Sequence, residues 1–234
     1  MFVSKWFNGL RNSLIGFYFG FALVYLVTEL FSLQFNFLIF KSILVVTLIF
    51  MYWFTSKKRN PFFFLTVFLS LIAYVLFFSD NARLLFAGIA FFLIYRLITI
   101  LYLYKLINPI KIVPILIAIN PFLFVFFYFF SMSYEIPYEG FYILLANNIL
   151  VCLLAALSLS CYVISGKNKG WFLCFGLTSV GLYFVEFVQK YYFSEISLPL
   201  FRIFEIILNV VLYYAFYKFV VKMEQSDAVV KLEI

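Results

Sequence analysis

The chain reads as an all-α membrane protein, a bundle of eight transmembrane helices. Three observations carry that reading. Of the 234 residues, 67% are hydrophobic and 12% charged, and the mean hydropathy is +1.11; about a quarter of an ordinary soluble domain is charged. The apolar residues form continuous runs of the roughly 20 residues that a bilayer crossing requires. They lack the polar–apolar alternation of an outer-membrane barrel strand. Most charges gather at the ends of the runs. Together these exclude a soluble globular domain, a disordered tail and a nucleic-acid-binding module.

The first run, Ser13–Leu33, follows Lys5 and Arg11, as the core of a signal peptide would. No small-residue cleavage site comes after it and it is long enough to span, so it is read as a retained helix. The second, Phe35–Thr55, ends at the basic turn Lys57–Arg59. Pro61 opens the third, Pro61–Ser79, at a helix start where its missing N–H is harmless. Charges separate this run from the fourth, Arg83–Tyr104. The fifth, Ile110–Ser131, contains Pro114 and Pro121, either of which can kink it. Gly140–Ile164, Gly170–Phe193 and Pro199–Val221 complete the set. Residues 1–221 are therefore one transmembrane domain and 222–234 a short cytoplasmic tail. The tail segment Glu224–Ile234 is half apolar and alternates partly as a strand does. It is suited to adding to a partner's sheet edge, or to lying on a basic face with Glu224, Asp227 and Glu233 near Lys57, Lys58 and Arg59.

Loop charge fixes the orientation. Lys5, Arg11, Lys57, Lys58, Arg59, Lys105, Lys111, Lys167, Lys169, Lys218, Lys222 and Lys231 fall on one side, 12 of the 17 basic residues. Arg83, Lys190 and Arg202 fall on the other, with Asp80, Glu135, Glu139 and Glu195. The positive-inside rule places both termini in the cytoplasm. A Phe-, Ile-, Lys- and Tyr-rich composition suits the inner membrane of a bacterium.

Several chemistries are excluded by what is missing. There is no histidine, which removes His-based triads, haem and most transition-metal sites. Cys152, Cys161 and Cys174 have no CxxC spacing and lie in apolar runs, as small packing residues do. No metal and no cofactor are expected. The 36 Phe and 18 Tyr read as lipid-facing and packing surface with an interfacial belt. Gly16 and Gly20 have the spacing that lets a second helix approach closely.

Ionisable side chains inside a membrane are expensive and call for a partner or a wet cavity. Glu29, Lys41, Glu186, Arg202 and Glu205 fall in one layer of the outer half, within roughly 10 Å of the outer helix ends at 1.5 Å per residue. Arg202, Glu205 and Asn209 share a helix face, as do Glu186 and Lys190. The layer suits a polar cavity for a lipid head group or a small polar solute. It also suits buried ion pairs that fix helix register, with Lys41 and Arg202 snorkelling outward. Arg96 is set apart from the layer, about 20 Å from the outer end of the fourth helix. A structural or partner-binding role is favoured for it.

Three stretches carry a family resemblance. In Phe37–Phe78, FLIFKSILVVTLIFMYWFTSKKRNPFFFLTVFLSLIAYVLFF, a lysine near the start of the second helix precedes a basic turn and a third helix. The stretch FAGIAFFLIYRLITILYLYK carries Arg96, and GLTSVGLYFVEFVQKYYF carries Tyr183 and Glu186. In order and helix count the chain resembles the lysoplasmalogenase-like (YhhN) family of eight-helix membrane proteins. Lys41 keeps the family's lysine, with Ser42 in place of its proline. Ser70 keeps the serine of a Ser-x-x-Gly-Asp run, with Ala73 and Tyr74 at the Gly-Asp positions. Leu182 and Tyr183 stand where Ser-Asp is expected, ahead of the matching Gln189, Lys190 and Tyr191, and Arg96 stands at the usual histidine.

The resemblance implies hydrolysis of the vinyl-ether bond of lysoplasmalogens by two intramembrane aspartates. Here Tyr74 and Tyr183 occupy both positions. A phenol, with a pKa of about 10, is a poor acid or base for that step. The expectation is a non-catalytic member of this type, acting as an accessory subunit of a membrane complex or as a lipid-binding protein. The expected partners are membrane lipids and other integral membrane proteins, with no nucleic acid. An active ether-lipid hydrolase using Glu186 and Glu205 is the alternative, and a small-solute transporter component a further one. The topology is directly testable: a reporter fused after Ile234 should report from the cytoplasm, and an external signal there would make the number of spans odd.

Overall fold

The structure is a computed structural model that describes residues 2–31, 37–77, 81–107, 112–132, 138–165, 169–192 and 199–230. Eight helices follow one another: α1 Phe2–Leu30, α2 Phe37–Thr55, α3 Pro61–Phe77, α4 Ala82–Leu106, α5 Ile112–Met132, α6 Tyr138–Ser165, α7 Gly170–Tyr191 and α8 Pro199–Val230. No strand occurs among the described residues. Six stretches, in α1, α2, α4, α6, α7 and α8, are long and apolar enough to cross a membrane; Pro61–Phe77 and Ile112–Tyr128 are shorter apolar helices. Without water in the hydrocarbon, helices satisfy their own backbone groups, which is why apolar runs of this length fold this way.

Two helices exceed the apolar runs that predict them. α1 starts at Phe2 rather than Ser13, and α8 continues to Val230 rather than stopping at Val221. Hydropathy marks what lies in lipid, whereas a helix stops only where something breaks it. No proline occurs in 2–12, and Lys222–Gln225 are good helix formers. The strand-like reading of the tail is therefore corrected up to Val230. The side chains of Asp227 and Glu233 lie outside the described residues, as do those of Lys5, Asp80, Lys111, Glu135, Glu139, Lys167, Lys190, Glu195 and Lys231.

α8 is the interior helix. It touches α1, α2, α4 and α7, while α3 packs on α4 and α6 on α4 and α7. Ile206, Val210, Tyr213, Ala215, Phe216, Phe219 and Val220 are all buried. Phe63 lies between Tyr52 and Phe216, with ring centroids 3.8 and 5.2 Å away. Phe172 stacks on Phe219 at 4.7 Å. Much of the aromatic content is thus core, stacked at distances that favour offset geometry. α5 lies at the periphery, against α6.

Close approach occurs at Gly176, not at the glycines of α1. A Cβ on Gly176 would run into the Ser158 hydroxyl, so α6 and α7 meet where only hydrogen fits. Gly88 does the same between α4 and the end of α3, where a Cβ would come 2.5 Å from the Phe77 nitrogen. Gly16 and Gly20 have nothing within 4 Å, so the spacing in α1 brings no helix near among the described residues.

The C-terminal part of α8 is tied down by a buried carboxylate. Glu224 accepts from Tyr52 Oη at 2.7 Å and from Ser56 Oγ at 2.5 Å. The same two oxygens accept backbone N–H bonds from Asn60 and Arg59. Arg59 is held at φ 44°, a left-handed conformation unusual for a side chain with a Cβ. One carboxylate thereby shapes the whole α2–α3 turn. Glu224→Ala should lower stability by about 1–3 kcal/mol, the cost of two buried hydroxyls losing their acceptor. Denaturant unfolding in mild detergent measures it, and an unchanged midpoint would contradict the assignment.

Candidate functional site

Six helices meet around a polar chamber. α2 contributes Lys41, α3 Ser70, α4 Tyr95, Arg96 and Thr99, α7 Ser179, Tyr183 and Glu186, and α8 Asn209 and Tyr213, with Leu154 of α6 closing one side. Lys41, Ser70, Arg96, Thr99, Glu186 and Asn209 are all buried. The free volume is about 40 Å³, on the scale of three water molecules at roughly 10–15 Å³ each. On α7 and α8 the polar lining recurs about once per turn along one face, Ser179, Tyr183 and Glu186 on α7 and Asn209 and Tyr213 on α8, so packing the apolar faces outward turns these residues inward.

Lys41 does not snorkel. It is 3% exposed, and its ammonium stands 3.4 Å from the centroid of the Tyr74 ring. A cation over an aromatic face is attracted by the ring quadrupole, more strongly when desolvated. Tyr74 in turn donates its hydroxyl to Glu205 Oε1 at 2.9 Å. The other Glu205 oxygen meets Arg202 at 3.3 Å. Arg202 reaches α1 as well, with Nε 3.7 Å from Glu29 Oε1. A file of polar groups therefore runs from Lys41 through Tyr74, Glu205 and Arg202 to Glu29, crossing α2, α3, α8 and α1.

The expected layer is thereby resolved into two adjoining parts. Lys41 and Glu186 line the chamber, whereas Glu29, Arg202 and Glu205 form an ion-paired cluster beside it. Glu205, fully buried with both oxygens engaged, is a structural anchor. Glu186 differs. Its carboxylate lies in the field of Lys41, Glu205 and Arg96, and no hydrogen bond or ion pair among the described residues ties it down. Asn209 donates to the Glu205 carbonyl at 2.9 Å, and its own Oδ1 is buried without a hydrogen-bond partner among the described residues.

Arg96 belongs to the chamber, a correction to its placement apart from the charged layer. Its Nη1 donates to Asn147 Oδ1 at 2.8 Å, and Asn147 donates onward to the Ile89 carbonyl at 3.1 Å. The guanidinium lies 4.2 Å from the centroid of Tyr183 and 5.5 Å from that of Phe92. Depth along α4 alone separated Arg96 from the others, but a long side chain erases that separation. Asn147 escaped the sequence reading, which weighed only ionisable groups. Its signal was the Asn147–Asn148 pair inside the apolar run of α6.

A second, apolar pocket of about 20 Å³ adjoins the chamber. Phe77, Ile89, Leu144, Asn147 and Phe187 line it, and it shares Phe92, Arg96, Tyr183 and Glu186 with the chamber. Cys152 and Cys161 are buried, Cys174 is half-buried, and all three are free thiols.

No protein-family model, curated protein or solved structure matches the chain. The reading of the site therefore rests on its own geometry. Tyr74→Phe removes one hydroxyl and leaves Glu205 short of a donor in a fully buried site. It should cost about 1–3 kcal/mol in detergent unfolding. An unaltered stability would mean that Tyr74 holds Lys41 by its ring alone.

Proposed function

We propose that the protein is a non-catalytic, lysoplasmalogenase-like integral membrane protein that binds an amphiphilic lipid inside its helix bundle. The observation that carries this reading is the shared wall between a polar chamber and an apolar pocket, made by Phe92, Arg96, Tyr183 and Glu186. An amphiphile has the same two-part character. The chamber offers Lys41 and Arg96 to an acceptor, and Glu186 and the Asn209 side-chain oxygen Oδ1 to a donor. At its present volume the chamber is too tight for a head group, so binding widens the bundle. α7 supplies Ser179, Tyr183 and Glu186 and reaches both compartments.

The same geometry argues against hydrolysis. Two-carboxylate chemistry needs one group to give a proton and another to manage water, both at the substrate. Glu186 faces the chamber, but Glu205 is committed to Tyr74 and Arg202 and is absent from the chamber wall. The tyrosines at the family's aspartate positions, Tyr74 and Tyr183, act on cations through their rings. The reading carries with it the bacterial inner membrane that composition suggests and the cytoplasmic termini that loop charge predicts.

Mass spectrometry of protein released from nanodiscs tests this. Bound lysolipid or phospholipid should persist through delipidation in the wild type and be lost from Arg96→Gln. Incubation with a lysoplasmalogen should release no aldehyde. Aldehyde release that Glu186→Gln abolishes would overturn the non-catalytic reading.

A further inference from the structure

α5 presents two unlike faces. Ile119, Phe122, Leu123 and Phe126 pack inward, with Phe126 against Tyr183 and Phe184 of α7. The opposite face carries Val113, Ile117, Asn120, Phe124, Phe127 and Ser131, every one exposed. Their spacing alternates four and three residues without a break over 113–131. That is the seam of a left-handed helix pair, in which each side chain enters a hole on the facing helix. No other helix of the chain covers it: among the described residues α5 packs chiefly on α6.

Lipid alone is a poor cover for this seam, because its centre is polar. Asn120 lies eight residues into α5, about 12 Å along it and so close to mid-membrane. One N–H of its carboxamide donates to the Leu116 carbonyl at 2.8 Å. Asn120 itself is exposed, and no further hydrogen bond among the described residues takes up its second N–H or its oxygen. The next residue, Pro121, has no N–H, so the Ile117 carbonyl, also on this face, lacks its usual donor one turn on. Polar groups facing hydrocarbon unsatisfied are costly.

We propose that α5 is a self-association surface on which a second copy of this chain docks, the two α5 helices lying parallel with Asn120 facing Asn120. A carboxamide is its own complement, since each supplies the donor the other accepts. Two copies inserted with the same topology bring their α5 helices together in parallel about a two-fold axis along the membrane normal. A polar residue at the centre of a mostly apolar seam, here Asn120, is also what fixes register and pair number in parallel coiled coils; Ser131, at the end of the seam, spends its hydroxyl on the Tyr128 carbonyl.

Single cysteines placed along α5 in membranes, with Cys152, Cys161 and Cys174 replaced by Ala, decide the matter under mild oxidation. Disulfide-linked dimers should peak at Ile117→Cys, Phe124→Cys and Phe127→Cys, which leave Asn120 in place, and fall away at Ile112→Cys and Val125→Cys, which lie off the seam. In nanodiscs Asn120→Leu should weaken dimerisation about tenfold and Asn120→Gln much less. A flat pattern along α5, a monomer in every lipid tested, or a linkage from residue 117 or 124 to a chain of different mass would each overturn the proposal. Loss of bound lipid with dimers intact would count against the lipid-binding reading and leave this one standing.

Discussion

A lysine in the interior of a membrane bundle has to be held by the protein itself, and Lys41 is held on the face of Tyr74. The rest of the polar architecture follows from that contact. Tyr74 can present its ring only because its hydroxyl is anchored on Glu205. Glu205 itself has no exposure, and Arg202 meets its second oxygen. Arg202 is shared with Glu29, which brings in α1. Four helices distant in sequence are thereby given one relative register. A buried ion pair adds little net stability over apolar packing, but losing one partner is severe, so such a file specifies arrangement more than it adds strength.

At the other end of α8 a second carboxylate works differently. Glu224 meets no cation among the described residues. It gathers hydroxyls from Tyr52 and Ser56, which in turn accept from the backbone of the α2–α3 turn. α8 is thus pinned to α2 by a carboxylate at one end and to α3 and α1 at the other. Between them, Tyr18 donates to the Val210 carbonyl and Ser70 meets Tyr213. The interior helix is hydrogen-bonded along its length as well as packed. The polar chamber lies midway, where α4 and α7 meet α8.

The chamber combines groups that are committed with groups that are not. Arg96 is braced by Asn147 and two aromatic rings, and Ser70 and Tyr213 satisfy one another. Glu186 and the Asn209 oxygen have no such anchor among the described residues. In a medium without water, groups left in that state are the ones a ligand would engage. Their neighbour is an apolar pocket rather than an aqueous vestibule, which gives the amphiphile reading its weight over a small-solute one.

The sequence by itself determined the class and the eight helices, and it singled out the ionisable residues inside them, though not the Tyr95, Thr99, Ser179, Tyr213 and Asn147 that stand around them. Each followed from a one-dimensional signal: an unbroken apolar run, a proline at a helix start, a charge too costly for lipid. It set the helix ends less well at Phe2 and Val230, because hydropathy reports the surrounding medium and not where backbone hydrogen bonding stops. Only the tertiary structure decided that Arg96 shares the chamber with Lys41 and Glu186, that Glu205 is locked while Glu186 is not, and that Asn147 is the partner of Arg96. Depth along a helix is written in the sequence, but rotation about its axis and the reach of a side chain are not. In a helix hydrophobic on every side, no apolar stripe says which face turns inward. The choice of inward face is made by the few polar groups that must find one another across helices.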